Sequence, residues 1–193
     1  MISVIIATNE SERPLLPTLA ALVPGAMAGI VSDVIVADAG SHDGTAAVAD
    51  VAGCRFMVTP GPLGTRLSAA AASARAPWLL FMRPGSVPDV TWVAETSRFV
   101  LDAGRGGGSH AAVFRRAPAS AERRSALIEA LALMTAALGA RPHPSQGLLI
   151  SKMHYDVLGG HRADSSHTET DLLRHLGRRR IVLLRSSVTT AGD

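Results

Sequence analysis

The sequence predicts an α/β fold, in which a mostly parallel sheet carries helices on both of its faces. Residues 2–7 and 34–37 are hydrophobic at nearly every position, which is typical of strands buried on both faces. Segments with helical patterns separate these runs from two further apolar runs, at 55–58 and 78–82. Neighbouring parallel strands must be joined by a crossover long enough for a helix, so this alternation favours a parallel sheet.

Three helices are predicted between these four strands. The first opens at Ser11 with the prolines at 14 and 17 and runs to residue 22. Prolines are compatible with such a start, since proline is tolerated in a first helical turn. The second, at 45–51, follows a Ser-His-Asp-Gly turn, and the third is the alanine-rich segment 63–75.

The second half of the chain has a less regular pattern. A glycine-rich stretch at 104–108 interrupts it, and Gly159-Gly160 ends a short helix. No linker divides the chain, so the whole of 1–193 is expected to form a single domain. The remaining predicted elements are a helix at 91–102, a strand at 111–114, the longest helix at 121–138, a strand or turn at 145–150, helices at 152–158 and 168–177, and a strand at 181–184.

Composition predicts a reduced, cytoplasmic protein. No apolar run reaches the ~18 residues that span a bilayer, and residues 1–8 lack the features of a signal peptide. Cys54 is the single cysteine, so neither a disulfide framework nor a cysteine metal site is expected. The composition is also compatible with a homo-oligomer.

The net charge of +3 comes from arginines, since Lys152 is the only lysine. Apart from Arg178-Arg179-Arg180 the arginines are scattered, and four Phe, two Trp and one Tyr are the only aromatic residues. A single-strand-binding platform needs aromatic side chains beside its basic ones. We therefore expect no nucleic-acid partner, and an anionic small molecule such as a diphosphate fits the charge instead.

Ligands of open parallel sheets bind beyond the carboxyl ends of the strands. Asp38 follows the second strand directly, where its carboxylate can accept a hydrogen bond from a base or ribose; the alternative is a turn aspartate. Asp43 is interpreted as a cap of the helix that begins near Thr45. The side chains and backbone delivered to this edge are Thr8, Asn9 and Glu10 after the first strand, Asp38, Gly40 and Ser41 after the second, and Arg83, Pro84, Gly85 and Ser86 after the fourth.

Two segments carry a resemblance to family 2 glycosyltransferases. Residues 2–10 read ISVIIATNE and residues 34–45 read VIVADAGSHDGT, where the family has a pattern close to SVIIPTLNE and IIVVDDGSTDGT. Later pieces follow in the same order: 78–82 resembles the strand that carries the family's Asp-X-Asp motif, Ser145-Gln146-Gly147 its DQG loop, 157–160 its LGGF, and 169–176 its catalytic helix. The ending at 187–192 resembles a compact bacterial subgroup often found beside radical-SAM or selenium-related proteins.

The resemblance implies a GT-A fold and inverting transfer of a sugar from a nucleotide-diphosphate donor to an acceptor hydroxyl. It assigns nucleotide binding to Thr8, Asn9, Glu10, Asp38, Gly40 and Ser41, a phosphate contact to Arg66, the acceptor side to Gln146, and the catalytic base to Glu169. The family uses Mn²⁺ or Mg²⁺, held by the Asp-X-Asp motif.

The loop after the fourth strand departs from this family pattern. It reads Arg83-Pro84-Gly85-Ser86, where the compact subgroup has HADT, so the metal-binding aspartate falls on Gly85. Glycine offers no side-chain ligand and Arg83 would repel a cation, so the usual metal site is expected to be absent. Two interpretations stay open: Arg83 clamps the diphosphate in place of the metal, or activity is lost and the domain serves only as a nucleotide-sugar-binding or assembly module.

The late helix departs as well, since the family's Glu-Asp pair falls on Thr168-Glu169. The catalytic base would then be Glu169, whose side chain is one methylene longer than that of aspartate. His161 and His167 are interpreted as loop histidines. A nucleotidyltransferase is a weaker alternative, because such enzymes need a basic, glycine-rich loop after the first strand, and here the loop is acidic.

Overall fold

The computed structural model describes residues 1–105, 109–117 and 142–190 of the chain. Eight strands and six α-helices are formed by these residues, together with 3₁₀ turns at Pro144–Gln146 and Arg178–Arg180. The strands are β1 Ile2–Thr8, β2 Val31–Asp38, β3 Arg55–Val58, β4 Trp78–Met82, β5 Ser86–Pro88, β6 Ala111–Arg116, β7 Leu148–Ser151 and β8 Ile181–Thr190. The helices are α1 Glu12–Met27, α2 Thr45–Val51, α3 Leu63–Ser73, α4 Trp92–Arg105, α5 Lys152–Val157 and α6 Thr168–Leu176.

The strands form one mixed sheet in the order β3-β2-β1-β4-β7-β6-β8-β5. The first four are parallel, as predicted, with Thr8 at the end of β1 opposite Asp38 at the end of β2. The second half is mixed, because β7 runs antiparallel to both β4 and β6, while β6 and β8 are parallel. The parallel half therefore brings the carboxyl ends of β1, β2 and β4 to a common edge.

Each face of the sheet buries its own hydrophobic core. One core packs α3, α5 and α6 against the sheet and includes Leu67, Tyr155 and Leu172. The other packs α1 and α4 against the opposite face and includes Leu15 and Trp92. Because the strands contribute apolar side chains to both faces, their sequences lack the polar alternation of half-exposed strands.

Several boundaries differ from the sequence-based expectations. Helix α1 continues to Met27 with Pro24 inside it, and Gly25 lies against the Trp92 ring, where a Cβ atom would be 2.3 Å from the ring. Helix α3 ends at Ser73 rather than at residue 75, since the backbone turns extended before Pro77. Strand β8 extends to Thr190, and the short β5 that pairs with it was not predicted. The predicted helix at 121–138 lies outside the described residues.

Asp89 joins the end of β5 to β8. Its carboxylate accepts hydrogen bonds from the Thr91 amide at 2.9 Å and the Ser187 amide at 2.6 Å, and also from the hydroxyls of Thr91, Ser186 and Ser187. Burial raises the pKa of Asp89, but these hydrogen bonds outweigh it and hold the pKa well below its usual value. The contact fixes the start of α4 to the distant last strand.

None of the helices formed by the described residues is long and apolar enough to span a bilayer.

Candidate functional site

The ends of β1 and β2 are joined through a buried carboxylate. Asp38 is fully buried, and its Oδ1 accepts hydrogen bonds from Thr8 Oγ1 at 2.6 Å and Ser41 Oγ at 2.7 Å. Its Oδ2 accepts from the amides of Gly40 at 2.7 Å and Ser41 at 2.6 Å. Burial raises the pKa of Asp38, yet the four hydrogen bonds bring it below the ordinary 3.8. Asp38 therefore shapes the loop after β2, and its oxygens are already occupied within the protein.

Glu10 locks the loop after β1 onto the loop after β2. Its φ is +49°, a left-handed conformation that is unusual for a residue other than glycine. The Glu10 amide donates to Ser41 Oγ at 2.8 Å, and its carboxylate accepts from the amides of His42 at 2.9 Å and Asp43 at 3.1 Å. Backbone strain of this kind persists only where surrounding contacts enforce it, and such strain is common at binding sites.

A second pair of carboxylates completes the connection between the two loops. Glu12 accepts from the Gly44 amide at 3.1 Å, while its own amide donates to Asp43 Oδ2 at 3.0 Å. Asp43 Oδ1 also accepts from the Thr45 amide at 3.0 Å, as expected for a residue that caps α2. The amides at 40–44 thus all donate to carboxylates, so this surface suits the hydroxyl and N–H donors of a nucleoside better than a phosphate.

Among the residues predicted at this edge, Asn9 has a free side chain. It is exposed, and within the described ranges only its backbone groups are bonded, both to the hydroxyl of Ser11. The Asn9 amide group can therefore both donate to and accept from a ligand at the mouth of the two loops.

Arg66 reaches this edge from α3. Its Nη1 donates to the Thr8 carbonyl at 2.6 Å, while its Nε is buried without a hydrogen-bond partner. No carboxylate of the described residues forms an ion pair with Arg66. The guanidinium is thus held beside the end of β1 with its charge uncompensated.

Arg83 and Glu169, which the sequence places 86 residues apart, form a two-point ion pair. Arg83 Nε donates to Glu169 Oε1 at 3.3 Å, and Arg83 Nη2 donates to Glu169 Oε2. The Arg83 side chain is 46% exposed and that of Glu169 18%. The structure therefore brings the loop after β4 and the first turn of α6 together, and three of the five guanidinium N–H groups have no acceptor among the described residues.

The close approach of α3 to the segment before α6 helps to place Glu169. Gly64 lies in the first turn of α3, where an added Cβ would be 2.0 Å from the Arg162 carbonyl oxygen. Only glycine allows the backbone of 161–168 to pass this near to α3. Asp171 accepts hydrogen bonds from Ser165 at 2.5 Å and from Arg174 at 3.1 Å, so its role in α6 is structural.

Gly85 has a backbone conformation that does not suit a metal-binding aspartate at this position. Its φ is +87°, and its amide donates to the Pro14 carbonyl at 2.8 Å. An aspartate at this position would be strained, because L-residues rarely adopt a positive φ. In the ranges 1–105, 109–117 and 142–190, no group of three or more His, Cys, Asp and Glu side chains is placed to hold a metal ion.

Gln146 is close to the site, but its side chain is used within the chain. Its Nε2 donates to the Phe114 carbonyl at 2.7 Å, and its Oε1 accepts from the His143 amide at 2.7 Å. The turn that it closes contacts α6. Gln146 thus fixes the turn 144–146 in place. Ser145 is singled out in the sequence only as part of the Ser145-Gln146-Gly147 match, and His143, which precedes the turn, is not singled out at all.

Other polar features singled out in the sequence lie elsewhere or are internal. His161 is buried, with its Nδ1 3.0 Å from the Tyr155 hydroxyl, and burial lowers its pKa to about 4. The Arg178–Arg180 turn precedes β8, whose first residue is aligned with the start of β6, at the edge opposite the site.

Two concave surfaces also lie away from these loops. A cleft of about 450 Å³ separates α4 from β8, and an apolar groove of about 510 Å³ between α1 and α2 includes Cys54. Burial raises the pKa of the Cys54 thiol to about 11, so the thiol is unreactive at neutral pH.

Of three comparisons with known proteins, only the one with solved structures found similar chains, and it supports the fold. No protein-family model and no curated protein matches the sequence. Among solved structures, the chain is similar to glucosyl-3-phosphoglycerate synthase from Mycobacterium tuberculosis in complex with Mn²⁺, uridine diphosphate and glucosyl-3-phosphoglycerate, with a TM-score of 0.66 and 21% identity over 95% of this chain and 68% of that one. The same enzyme in complex with uridine diphosphate has a TM-score of 0.66 and 22% identity, with 95% of this chain and 69% of that chain covered.

A third structure, described as a mycobacterial protein, has a TM-score of 0.65 and 22% identity, with 98% of this chain and 65% of that chain covered. The mixed eight-stranded sheet with helices on both faces is thus the GT-A fold of these glycosyltransferase neighbours. The fold predicted by the resemblance is confirmed.

Proposed function

We propose that the protein binds a nucleotide-diphosphate sugar and transfers the sugar to an acceptor hydroxyl. The observation that carries this proposal is the Arg83–Glu169 ion pair, which joins a cation and a carboxylate at the carboxyl edge of a GT-A sheet. The two groups have the charges needed on either side of a transferring sugar: a cation for the leaving diphosphate and a base for the acceptor.

The nucleoside is proposed to lie over the loops after β1 and β2. Glu10 and Asn9 are exposed there and offer acceptors and donors to a base or ribose. Thr8, Asp38, Gly40 and Ser41 act behind them by holding the loops in shape, since Asp38 could contact a ligand only by giving up one of its four hydrogen bonds.

The diphosphate is proposed to lie between Arg66 and Arg83. Both guanidinium groups have N–H donors that no described residue accepts from, and phosphate oxygens accept such donors in pairs. Arg83 must then exchange Glu169 for the diphosphate, at least in part. The exchange leaves Glu169 free to accept the proton of the acceptor hydroxyl, so donor binding and activation of the base are coupled.

The residues of the β4–β5 loop do not suit the metal ion that similar enzymes bind. The solved neighbours include complexes with Mn²⁺. In this chain Arg83 brings a positive charge to the loop, and Gly85 combines a positive φ with no side chain. We therefore propose metal-independent or weak transfer, in which Arg83 replaces the metal electrostatically.

The proposal is tested by calorimetry with UDP, GDP and their glucose conjugates, with EDTA and with Mn²⁺ in parallel. We expect micromolar to millimolar binding of at least one diphosphate in EDTA, with little change on addition of Mn²⁺. Lack of binding to every nucleotide under both conditions would refute the proposal.

A non-catalytic nucleotide-sugar-binding module is the second candidate. It is favoured by the ion pair itself, because a carboxylate held by a guanidinium is a poor base until it is released. The two candidates are separated by incubating the protein with a bound donor and measuring release of the nucleoside diphosphate. Release that Glu169→Gln abolishes supports the enzyme, whereas binding without release supports the module.

The finer assignments are part of the same proposal. We place the chain in family 2, in the compact bacterial subgroup that the ending at 187–192 resembles, as one domain over 1–193. A cytoplasmic location, which the composition predicts, is part of the same proposal.

A further inference from the structure

We propose that Arg116, Ser145 and His143 form a subsite for an anionic group, a phosphate or a carboxylate, on the sugar acceptor. The inference rests on the proposed function, since it assigns the acceptor's chemical class at the same site. It begins from the finding that Gln146, the residue expected to face the acceptor, is fully used within the chain.

Gln146 gives the subsite a fixed frame. Its side chain bridges the Phe114 carbonyl in β6 and the His143 amide, so the turn 144–146 is fastened to the end of β6. Arg116 is the last residue of β6. The guanidinium of Arg116 and the side chains of the turn are therefore held next to each other, and Arg116 Nη2 lies 3.5 Å from Ser145 Oγ.

The hydrogen bonds within this group leave N–H donors of Arg116 and His143 available to a ligand. The Ser145 amide donates to His143 Nδ1 at 3.2 Å, so the ring proton of neutral His143 is on Nε2. His143 Nδ1 also lies 2.8 Å from Ser145 Oγ. Arg116 and His143 are both exposed. A ligand approaching from solvent thus meets the Nε2–H of His143 and most of the N–H groups of Arg116.

Within the part of the chain that the structure describes, no negative charge balances these donors. Arg116 forms no ion pair with any of the described residues, and neither does His143. A planar guanidinium with a neighbouring imidazole N–H matches the oxygens of a phosphate or a carboxylate, which accept two donors at once.

The location assigns this anion to the acceptor. The turn 144–146 contacts α6, which carries Glu169 in its first turn, and β7 follows the turn directly beside β4. An acceptor held by its anionic group at Arg116 would thus lie on the Glu169 side of the site. The proposed nucleoside surface, at the ends of β1 and β2, is on the other side of β4.

The test uses the full chain with matched probes, glycerol 3-phosphate and glycerol, titrated by calorimetry in saturating UDP. We expect glycerol 3-phosphate to bind at least ~10-fold more tightly than glycerol, and Arg116→Gln to remove most of this difference, because a charge-assisted contact is lost. Arg98→Gln is the control: Arg98 is an exposed arginine of α4, where it lies 3.9 Å from Asp102, and the change should leave the preference intact.

Inorganic phosphate is titrated against the nucleotide-free protein as well, with the ring signals of His143 followed by NMR. Phosphate-dependent shifts that Arg116→Gln abolishes would support the subsite even if UDP fails to bind, which would refute only the proposed function. Three results would overturn the subsite: equal losses in the two arginine variants, a loss of UDP affinity in Arg116→Gln that matches its loss of phosphate affinity, or no preference for the anionic probe in the wild type.

Discussion

The exchange of Arg83 between Glu169 and a diphosphate predicts that removing the carboxylate charge strengthens nucleotide binding. In the free protein, Arg83 is committed to Glu169 through two hydrogen bonds. Glu169→Gln keeps the shape of the side chain but removes its charge, so Arg83 no longer gives up an ion pair when UDP binds. Tighter ligand binding on loss of a proposed catalytic base is an unusual outcome, and it follows directly from this geometry.

The size of the effect follows from the exposure of the pair. Exposed ion pairs contribute up to about 1 kcal/mol, whereas breaking a buried pair costs about 3–5 kcal/mol. With Arg83 46% exposed and Glu169 18%, screening by water keeps the contribution near the lower figure, at about 1 kcal/mol. Glu169→Gln should therefore lower the dissociation constant of UDP about fivefold.

Arg83→Gln should have the opposite effect. Loss of a charged donor to the diphosphate costs about 1.5–3 kcal/mol, or roughly a tenfold to hundredfold weaker affinity for UDP. Uridine lacks phosphates, so its affinity should be the same in both variants and in the wild type. Arg162→Gln removes another exposed arginine ion pair, that with Asp164 at 2.9 Å, and should not alter UDP binding.

Calorimetry in EDTA, at low and moderate salt, measures all of these affinities, and thermal unfolding confirms that each variant is folded. The reasoning is refuted if Glu169→Gln weakens UDP binding, because Arg83 and Glu169 would then act on the ligand together. It is also refuted if Arg83→Gln weakens uridine and UDP equally, since the effect would then come from the loop's shape and not from a phosphate contact.

Three further predictions concern stability, and denaturant unfolding measures each of them. Gly25→Ala should lower the free energy of unfolding by about 2 kcal/mol, because its Cβ would lie 2.3 Å from the Trp92 ring. Gly104→Ala is its helical control: no atom lies within 4 Å of the added Cβ, so it should be neutral or stabilise the protein by about 0.5–1 kcal/mol. Asp89→Asn should lower the free energy of unfolding by about 2 kcal/mol at neutral pH. The pKa of Asp89 in the folded protein is below the ordinary 3.8, so this difference from wild type should persist down to about pH 3.8 and shrink only in stronger acid. Burial lowers the pKa of His161 from 6.5 to about 4, so protonation opposes folding and wild-type stability should fall by up to about 3 kcal/mol between these pH values. His161→Phe should flatten that part of the pH profile.

Each of these predictions has a contrary result. Equal stability losses in the two glycine variants would mean that backbone effects, not the Trp92 contact, dominate. A difference between Asp89→Asn and wild type that disappears already at pH 6 would show that the carboxylate is not held in its charged form. An unchanged pH profile in the His161→Phe variant would assign the acid sensitivity to other groups.

The parallel half of the fold could be predicted from the sequence because its signals are local. The observed bounds of α2, β3 and β4 coincide with the predicted segments 45–51, 55–58 and 78–82. The three-residue β5 carries no such signal, since it depends on pairing with β8 about a hundred residues later and on contacts with α1. The first helix was expected to end at residue 22, yet α1 continues through Pro24 to Met27, and Gly25 in this added turn lies against the Trp92 ring.

The candidate site also has one part that could be predicted from the sequence and one part that could not. Placement of Glu10 and Asp38 at the sheet edge follows from their position after apolar strands, and the structure brings them together. Their hydrogen bonds could not be predicted, because the left-handed φ of Glu10 and the burial of Asp38 are set by contacts across 31 to 33 residues. The Arg83–Glu169 pair and the isolated charge of Arg116 likewise depend on the packing of the second half.

The hydrogen bonds of the candidate site indicate which groups are available to bind a phosphate. In the loop after β2, the five consecutive amides of 40–44 donate to the carboxylates of Asp38, Glu10 and Glu12, so they are not available to bind an anion. The binding of any phosphate must then depend on arginine side chains, which are long and can change partners. Arg66 is anchored to the Thr8 carbonyl and Arg116 to Ser145, whereas Arg83 alone of the three is paired with a carboxylate in the described structure. If the donor binds as proposed, Arg83 is the residue whose change of partner converts the resting site into one with a free base.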